Sequence, residues 1–200
     1  MASSKFDKHT LNQGFYPILV LVVVCLVSTA LLALTNEITM PARQAQAEKA
    51  ELASKQLLFP EASRFENQDL PGEASDQVIS LDLAYDSQDH LIGYLILAAD
   101  KGYGGPVPMF VGIDGEGNLV GVDVPSNDET PGLGQKVHEE SFYGQFAGHT
   151  AASRFTVGGI PNQDHEWVEI DAVTAATVSS TAATNAVNAA LDLYNNLVKE

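Results

Sequence analysis

Three short segments carry more glycines or hydroxyl side chains than a plain structural element needs. Residues 101–106 (KGYGGP) place three glycines around Tyr103, and such glycines let a ligand approach the backbone closely. An ordinary flexible turn explains this composition equally well. Residues 129–136 (ETPGLGQK) combine a Pro-Gly turn with another glycine, which indicates a rigid loop. The spacing of a phosphate-binding P-loop is absent from this segment.

The third segment, residues 171–181 (DAVTAATVSST), accumulates hydroxyls and small side chains just before the last helical pattern. The start of a helix presents free N–H groups and a partial positive charge, so a phosphate would be well placed there. The simpler interpretation is that these residues cap the helix and form its small face. Composition alone favours that simpler interpretation.

Signatures of classical catalysis and of metal binding are missing. The chain has neither a His-x-x-x-His pair nor a Gly-x-Ser-x-Gly elbow. His138 beside Glu139 and His165 after Asp164 could be imagined as metal ligands, but solvated polar residues are far commoner, so no metal site is expected. The single cysteine, Cys25, excludes an internal disulfide and a cysteine-ligated cluster.

Strand patterns separate the first two segments from the third. They cover residues 78–85, 91–99, 108–114 and 119–124, each bounded by turn residues. Residues 114–118 (DGEGN) are a strong hairpin connection, because Gly and Asn can supply a positive φ. Since the connections are short and no helix intervenes, we predict an antiparallel sheet, with a further strand near residues 167–170.

The C-terminal residues 179–199 have the period of a helix, and Ser179 or Ser180 is the expected N-cap. Its predicted apolar face contains Ala183, Val187, Ala190, Leu191, Tyr194 and Val198.

Residues 15–34 form an uncharged run of 20 residues, which matches the ~20 that a transmembrane helix needs. Pro17 is expected in its first turn, where a missing N–H is harmless. A cleaved signal peptide has a shorter apolar region, usually ~7 to 15 residues, and a small-residue cleavage site; neither fits here. The flanking positive charges do not decide the orientation, but long domains translocate regardless of them, so we expect the large domain outside.

Between the span and the sheet, residues 41–58 are rich in helix formers and Pro41 is expected to open a helix, while residues 59–77 are polar and are expected to form a loop. The predicted fold is therefore α+β: a single N-terminal transmembrane helix, then a domain with an antiparallel sheet and a C-terminal helix. The expected divisions are a short tail (1–14), the transmembrane helix (15–34), a helical linker and loop (35–77) and the domain (78–200).

The chain of 200 residues has 26 acidic and 10 basic side chains and a formal charge of −16. Nucleic acid and anionic lipid headgroups need clustered Lys or Arg, so both are poor partners. The acidity itself is explained by solubility of the exterior.

The three segments together, with the single N-terminal span, resemble the FMN-binding G subunit of Rnf-type ion-translocating electron-transport complexes, which is related to the C subunit of the sodium-pumping NADH:quinone reductase. The resemblance covers nearly the whole chain, including the strand at residues 111–114, and makes residues 78–200 an FMN-binding domain. The quinone-reductase relative is typically longer, so 200 residues fit the Rnf type better.

In this family a flavin transferase recognises a motif of the form Asp-x-x-Ser/Thr-Gly-Ala-Thr and attaches FMN, taken from FAD, to the last Thr through its phosphate. The resemblance implies that Thr177 carries a covalent FMN, with Ala175 standing where the family usually has Gly. Ala175 matters if the backbone there needs a positive φ or a close approach. The residues implied to bind the cofactor are Thr177, Asp171, Thr174, Ala176, Tyr103, Thr130, Gly132, Leu133, Gly134 and Lys136.

The resemblance also implies a function and a location. The chain would relay electrons through its FMN within a membrane complex coupling ferredoxin and NAD chemistry to ion movement. Its partners would be the other membrane and redox subunits, and a flavin transferase during maturation. It would be a single-pass protein of the bacterial inner membrane with its domain on the periplasmic side. The alternatives are the C subunit of a sodium-pumping NADH:quinone reductase, a membrane-tethered assembly module without redox function, and a stand-alone extracellular flavin reductase.

Overall fold

A computed structural model describes residues 8–72, 74–161 and 167–199. The chain divides into two compact units, Met1–Gln46 and Ala47–Glu200. His165 lies outside the described residues, as do the first seven residues of the predicted tail.

The first helix, α1, runs from Lys8 to Leu58. In the described part of the chain it is the one helix long and apolar enough to cross a membrane, and none of its most apolar stretch is buried by protein. The hydroxyls of Thr29 and Thr35 donate to the carbonyl oxygens of Cys25 and Leu31, each at 2.8 Å. These bonds suit a lipid environment, where an unpaired hydroxyl is costly.

Two expectations about this helix were wrong. Pro17 and Pro41 both lie inside α1, so Pro17 is not in a first turn and Pro41 does not open a separate helix. A proline removes one backbone hydrogen bond but does not end a helix whose neighbours on both sides are helical. The predicted span and the predicted linker helix are therefore one continuous element.

A five-stranded antiparallel sheet forms the centre of the second unit, in the order β1-β2-β3-β4-β5. The strands are β1 (Arg64–Gln68), β2 (Val78–Tyr85), β3 (Leu91–Lys101), β4 (Pro106–Asp114) and β5 (Leu119–Asp123). The predicted hairpin at residues 114–118 joins β4 to β5, with Gly117 at φ +85°. The antiparallel sheet is confirmed, but β1 lies in the segment predicted to be a loop.

The last helix, α3 (Thr177–Lys199), covers one face of the sheet. Side chains alternate along the central strands, so that Ile96 and Met109 pack on the side of α3, while Leu95 and Phe110 pack with Leu58 and Phe59 on the other side. The predicted apolar face of α3 is buried except for Val198, which is 58% exposed. The helix begins at Thr177, two residues before the predicted start.

Residues between β5 and α3 form short elements: a 3₁₀ turn at Gly134–His138, α2 (Glu140–Tyr143), a second 3₁₀ turn at Gly144–Phe146, β6 (Arg154–Thr156) and β7 (Trp167–Glu169). The predicted strand near residue 167 exists as β7, but it pairs in parallel with β6 in a separate two-stranded sheet. It does not extend the antiparallel sheet.

Candidate functional site

Tyr103 lies at the tip of the β3–β4 hairpin. The four-residue connection closes through a hydrogen bond from the Gly102 N–H to the Gly105 carbonyl oxygen at 2.8 Å. The Tyr103 side chain is 79% exposed. The sheet therefore presents an aromatic ring to solvent at one end of its two central strands.

Behind this hairpin tip, Glu129 is buried, with 2% of its surface exposed. Its carboxylate accepts hydrogen bonds from the Gly104 N–H at 3.0 Å and from the Ser179 hydroxyl at 2.7 Å. Ser179 belongs to the first turn of α3. One carboxylate therefore links the first and third of the segments singled out in the sequence.

The second segment turns around Pro131 and Gly132. The Leu133 N–H donates to the Thr130 carbonyl oxygen at 3.1 Å, and Gly132 has φ +76°, as expected for the third position of a type II turn. Gly134 follows against the buried carboxylate, and a Cβ at this position would lie 2.5 Å from Glu129 Oε2. Only glycine fits there without moving the carboxylate.

Side chains hold the third segment in place at its two ends. Gln145 pairs with the backbone of Asp171, donating to its carbonyl oxygen at 3.2 Å and accepting from its N–H at 2.8 Å. The Ser180 hydroxyl accepts from the Val173 N–H at 3.0 Å. Neither Ser179 nor Ser180 is the N-cap, because both lie inside α3 and bond elsewhere.

Ala175 has φ +61°, in the left-handed region. This conformation costs a residue with a side chain roughly 1–2 kcal/mol. The position where the resembled family usually has Gly is thus one at which glycine would be favoured.

The three segments surround a cavity of about 540 Å³. This volume falls within the roughly 300–1,000 Å³ typical of small-molecule sites. Six of the predicted binding residues line it, together with four further residues. The cavity is lined by Tyr103, Thr130, Leu133, Gly134, Ala176 and Thr177, and by Glu129, Ala175, Val178 and Ser179.

The remaining predicted residues lie in neighbouring depressions. Asp171, Thr174 and Lys136 line one of about 260 Å³. Gly132 lines another of about 510 Å³, to which Lys136 also contributes. The structure therefore brings six of the ten predicted residues into one cavity and places the other four beside it.

The electrostatics of the cavity centre on Glu129. Burial raises its pKa, but hydrogen bonds from the Ser179 hydroxyl and from the backbone of the Tyr103 loop outweigh burial, and the pKa is lowered from its ordinary 4.5. The carboxylate is therefore ionised at neutral pH. Across residues 8–72, 74–161 and 167–199, no group of three or more His, Cys, Asp or Glu side chains converges on a point.

Sequence reasoning missed Glu129 and Gln145 as site residues. Glu129 is one of 26 acidic residues, and only its position beside the Pro-Gly turn set it apart. Gln145 lies 26 residues from the backbone that it holds, so no local pattern could have found it.

The donors and the volume of the cavity fit FMN. Tyr103, Leu133 and Val178 are exposed by 79%, 42% and 54% and offer one aromatic and two aliphatic side chains to a ring system. The first N–H groups of α3 have no acceptor within the helix and favour a phosphate. Thr177, the first residue of that helix, is exposed and lies on the cavity wall.

Comparisons with known proteins agree with this fit. Residues 102–192 match the FMN-binding domain family. The chain is 32% identical to the G subunit of the ion-translocating oxidoreductase complex of Methanosarcina acetivorans, over 88% of this chain and 91% of that one. It is 28% identical to the G subunit of the Na⁺-translocating ferredoxin:NAD⁺ oxidoreductase complex of Acetobacterium woodii, over 90% and 91%.

Among solved structures, the C subunit of the Na⁺-translocating NADH-quinone reductase of Parabacteroides distasonis aligns with a TM-score of 0.56 at 16% identity, covering 80% of this chain and 97% of that chain. At this level of sequence identity, the similarity shows a shared fold and nothing further.

Proposed function

Because this chain belongs to the G-subunit family of ion-translocating oxidoreductase complexes, we propose that it is an electron-carrier subunit holding FMN covalently on Thr177. In this role it relays electrons within a membrane complex that couples ferredoxin and NAD chemistry to ion movement. The observation that carries the proposal is the cavity at the start of α3, whose wall includes Thr177 and which lies within the matched FMN-binding region.

The attachment is a phosphoryl transfer to a hydroxyl. Thr177 Oγ1 forms a bond to the FMN phosphorus of FAD, the pyrophosphate P–O bond breaks, AMP leaves, and the hydroxyl proton is lost. A flavin transferase is the proposed catalyst. The exposure of Thr177 supports this reaction, because an external enzyme must reach the hydroxyl. The free N–H groups of the first turn would then favour the phosphate of the ester.

FMN, when bound, supplies the electron transfer chemistry, and the chain supplies binding, orientation and electrostatics. Tyr103, Thr130, Leu133 and Gly134 line the same cavity as Thr177 and would hold the ring. A covalent link also prevents loss of the flavin by dilution in an aqueous compartment.

The neighbouring depression is proposed as the surface that the flavin transferase contacts. It contains Asp171 and Thr174, the first two defined positions of the motif, and Lys136 lies beside them. Gln145 bonds both the N–H and the carbonyl oxygen of Asp171, which fixes the backbone at the start of the motif.

The other proposed partners are the membrane and redox subunits of the same complex. The apolar helix α1 is the proposed anchor in the inner membrane, and the FMN-binding domain is proposed to lie on the periplasmic side. The long uncharged stretch of α1 supports the anchor. Long domains are translocated largely regardless of the flanking charges, so the length of the domain that follows is compatible with export.

The test is coexpression of the full chain with a flavin transferase, followed by denaturing electrophoresis and flavin fluorescence of the band. The wild type is expected to fluoresce and Thr177→Ala to be dark, with the domain still folded because an exposed hydroxyl near a cap contributes at most ~1 kcal/mol. Thr181→Ala is the matched control: it removes an exposed hydroxyl one helical turn later, outside the cavity, and should fluoresce like the wild type.

A dark wild-type band would favour the alternative of an assembly module without redox function. Fluorescence of the Thr177→Ala band equal to that of the wild type would place the flavin elsewhere and contradict the proposed site.

A further inference from the structure

Glu129 is a buried carboxylate without a cation. In the part of the chain that the structure describes, its hydrogen bonds come from neutral donors, the Gly104 N–H and the Ser179 hydroxyl, and no Lys, Arg or His forms an ion pair with it. Buried charges are ordinarily paired with an opposite charge or coordinate a metal. The hydrogen bonds stabilise the anion without cancelling its negative charge.

The packing around Glu129 keeps the carboxylate at the cavity wall. A Cβ on Gly102 would lie 2.2 Å from Glu129 Oε1, and one on Gly134 would lie 2.5 Å from Oε2. Both oxygens are thus enclosed by glycine backbone on either side. Glu129 itself lines the cavity beside Tyr103 and Ser179, so its charge is held in place at the wall of the space proposed for the flavin.

From this geometry we propose that Glu129 is a positioning and potential-setting residue of the flavin site. It ties the Tyr103 hairpin tip to the first turn of α3 and places a fixed negative charge against the flavin, which lowers the flavin's reduction potential. The inference rests on the proposed function, since it concerns the FMN on Thr177.

The direction of the effect follows from electrostatics. Reduction adds negative charge to the flavin, and a nearby anion in a poorly solvated site opposes that addition more strongly than it would in water. Exposed carboxylates on the same domain are screened by water and salt and act weakly. The effect therefore belongs to the buried carboxylate and not to the overall charge of −16.

The chain offers a matched pair of variants. Glu129→Gln removes the buried charge while keeping the side-chain shape. Asp128→Asn makes the same change of net charge at the neighbouring residue, whose side chain is exposed and does not line the cavity. Both variants remove one negative charge, so any difference between them is due to the position of that charge in the structure.

The first measurement uses the full unmodified chain in detergent. Amide hydrogen exchange of Gly104 should accelerate at least tenfold in Glu129→Gln and remain unchanged in Asp128→Asn, because only the former weakens the acceptor for that N–H. Equal exchange rates in the two variants would overturn the positioning role.

The second measurement is the midpoint potential of the flavin-loaded chain. Glu129→Gln should raise it so that the ratio of oxidised to reduced flavin at a fixed potential falls at least tenfold, about 59 mV for one electron; Asp128→Asn should change that ratio less than threefold. Potentials that rise equally, or a fall in Glu129→Gln, would overturn the inference while leaving flavin on Thr177 intact. A wild type that takes no flavin would instead refute the proposed function.

If Glu129→Gln does not accumulate as folded protein, Ser179→Ala provides the decisive variant. It removes a hydroxyl donor that partly neutralises the carboxylate and leaves the charge in place, so the potential should fall. A rise would overturn the inference.

Discussion

Two buried carboxylates in the second unit are held in opposite ways. Asp82 on β2 is 3% exposed, and its Oδ2 lies 2.9 Å from the ammonium nitrogen of Lys55 near the end of α1. Glu129 is 2% exposed, and among the described residues its hydrogen bonds come from neutral donors. Asp82 packs on the sheet face away from α3, whereas Glu129 faces a cavity at the start of α3.

The difference separates a structural charge from a functional one. The Lys55–Asp82 pair compensates itself, so its field at a distance is small, and its contribution is to hold the end of α1 against the sheet. Neutral donors stabilise the carboxylate of Glu129 through hydrogen bonds, but they do not cancel its negative charge. Its field therefore reaches the cavity that is proposed to hold the flavin.

The largest expected effect comes from breaking the compensated pair. Lys55→Met leaves Asp82 buried without its cation, with the Asn67 amide nitrogen 3.3 Å from Oδ1. This change should destabilise the domain by roughly 3–5 kcal/mol, as for buried pairs that lose one partner. Chemical denaturation of the full chain in detergent measures this loss. The flavin potential should not change in the fraction that remains folded.

The control is Glu51→Gln. Glu51 also contacts Lys55, at 2.9 Å, but its side chain is 45% exposed, and surface pairs contribute about 0–1 kcal/mol. A loss from Lys55→Met no larger than that from Glu51→Gln would contradict the structural role of the buried pair.

The pH dependence of stability should separate the two groups. The pKa of Glu129 is lowered in the fold, so its stabilisation is present above its ordinary 4.5 and is lost as pH falls through the folded value. Burial lowers the pKa of Lys55, but its hydrogen bonds to Asp82 and Glu51 outweigh this and raise the pKa above its ordinary 10.5. The stabilisation by Lys55 is present below 10.5 and is lost as pH rises through the folded value.

Each variant should therefore weaken the dependence of the free energy of unfolding on pH in one range, acid or alkaline. Glu129→Gln should reduce the acid loss and Lys55→Met the alkaline loss, each by at most about 1.4 kcal/mol per pH unit, the limit for one proton. Asp86, Asp100 and Asp114 also have lowered pKa values and keep part of the acid loss. An acid loss in Glu129→Gln identical to that of the wild type would show that this carboxylate is not held as an anion.

The smallest expected effect concerns Ala175, which lies on the same cavity wall as Glu129. Ala175→Gly relieves roughly 1–2 kcal/mol of left-handed strain and adds about 0.5–1 kcal/mol of unfolded-state entropy, so a net stabilisation of about 0.5–1 kcal/mol is expected in thermal unfolding. Ala172→Gly, in the same segment without a positive φ, should give no gain. An equal change of the unfolding temperature in both variants would mean that the backbone conformation of Ala175 is not strained.

Much of the fold could be predicted from local pattern. The alternation in β2 to β5 and the glycine-containing turns are determined by neighbouring residues, as is the face of α3. β1 could not be predicted, because Arg64–Gln68 is a polar edge strand whose side chains are mostly exposed. A strand near Trp167 was predicted, but β6 has three residues, too few to carry a pattern, so its parallel pairing with β7 could not be predicted.

In the candidate site, too, local sequence indicated some features, while others depend on tertiary contacts. Glycines and hydroxyls marked the three segments, but their meeting depends on the hairpin tip reaching the start of α3. From the sequence, Ala175 was expected to matter if the backbone at this position has a positive φ. The structure shows that it does, with a φ of +61°. The burial of Glu129 is a tertiary property, so this residue was not singled out among the acidic side chains.

The mass of the peptide that contains Thr177 shows directly whether FMN is attached to this residue. Trypsin cleavage after Arg154 and Lys199 releases residues 155–199, and fragmentation of this peptide distinguishes Thr177 from Thr174 and Thr181. After coexpression with a flavin transferase, we expect the mass of FMN minus one water on Thr177. An unmodified peptide, or flavin on another residue, would contradict the proposed attachment of FMN to Thr177.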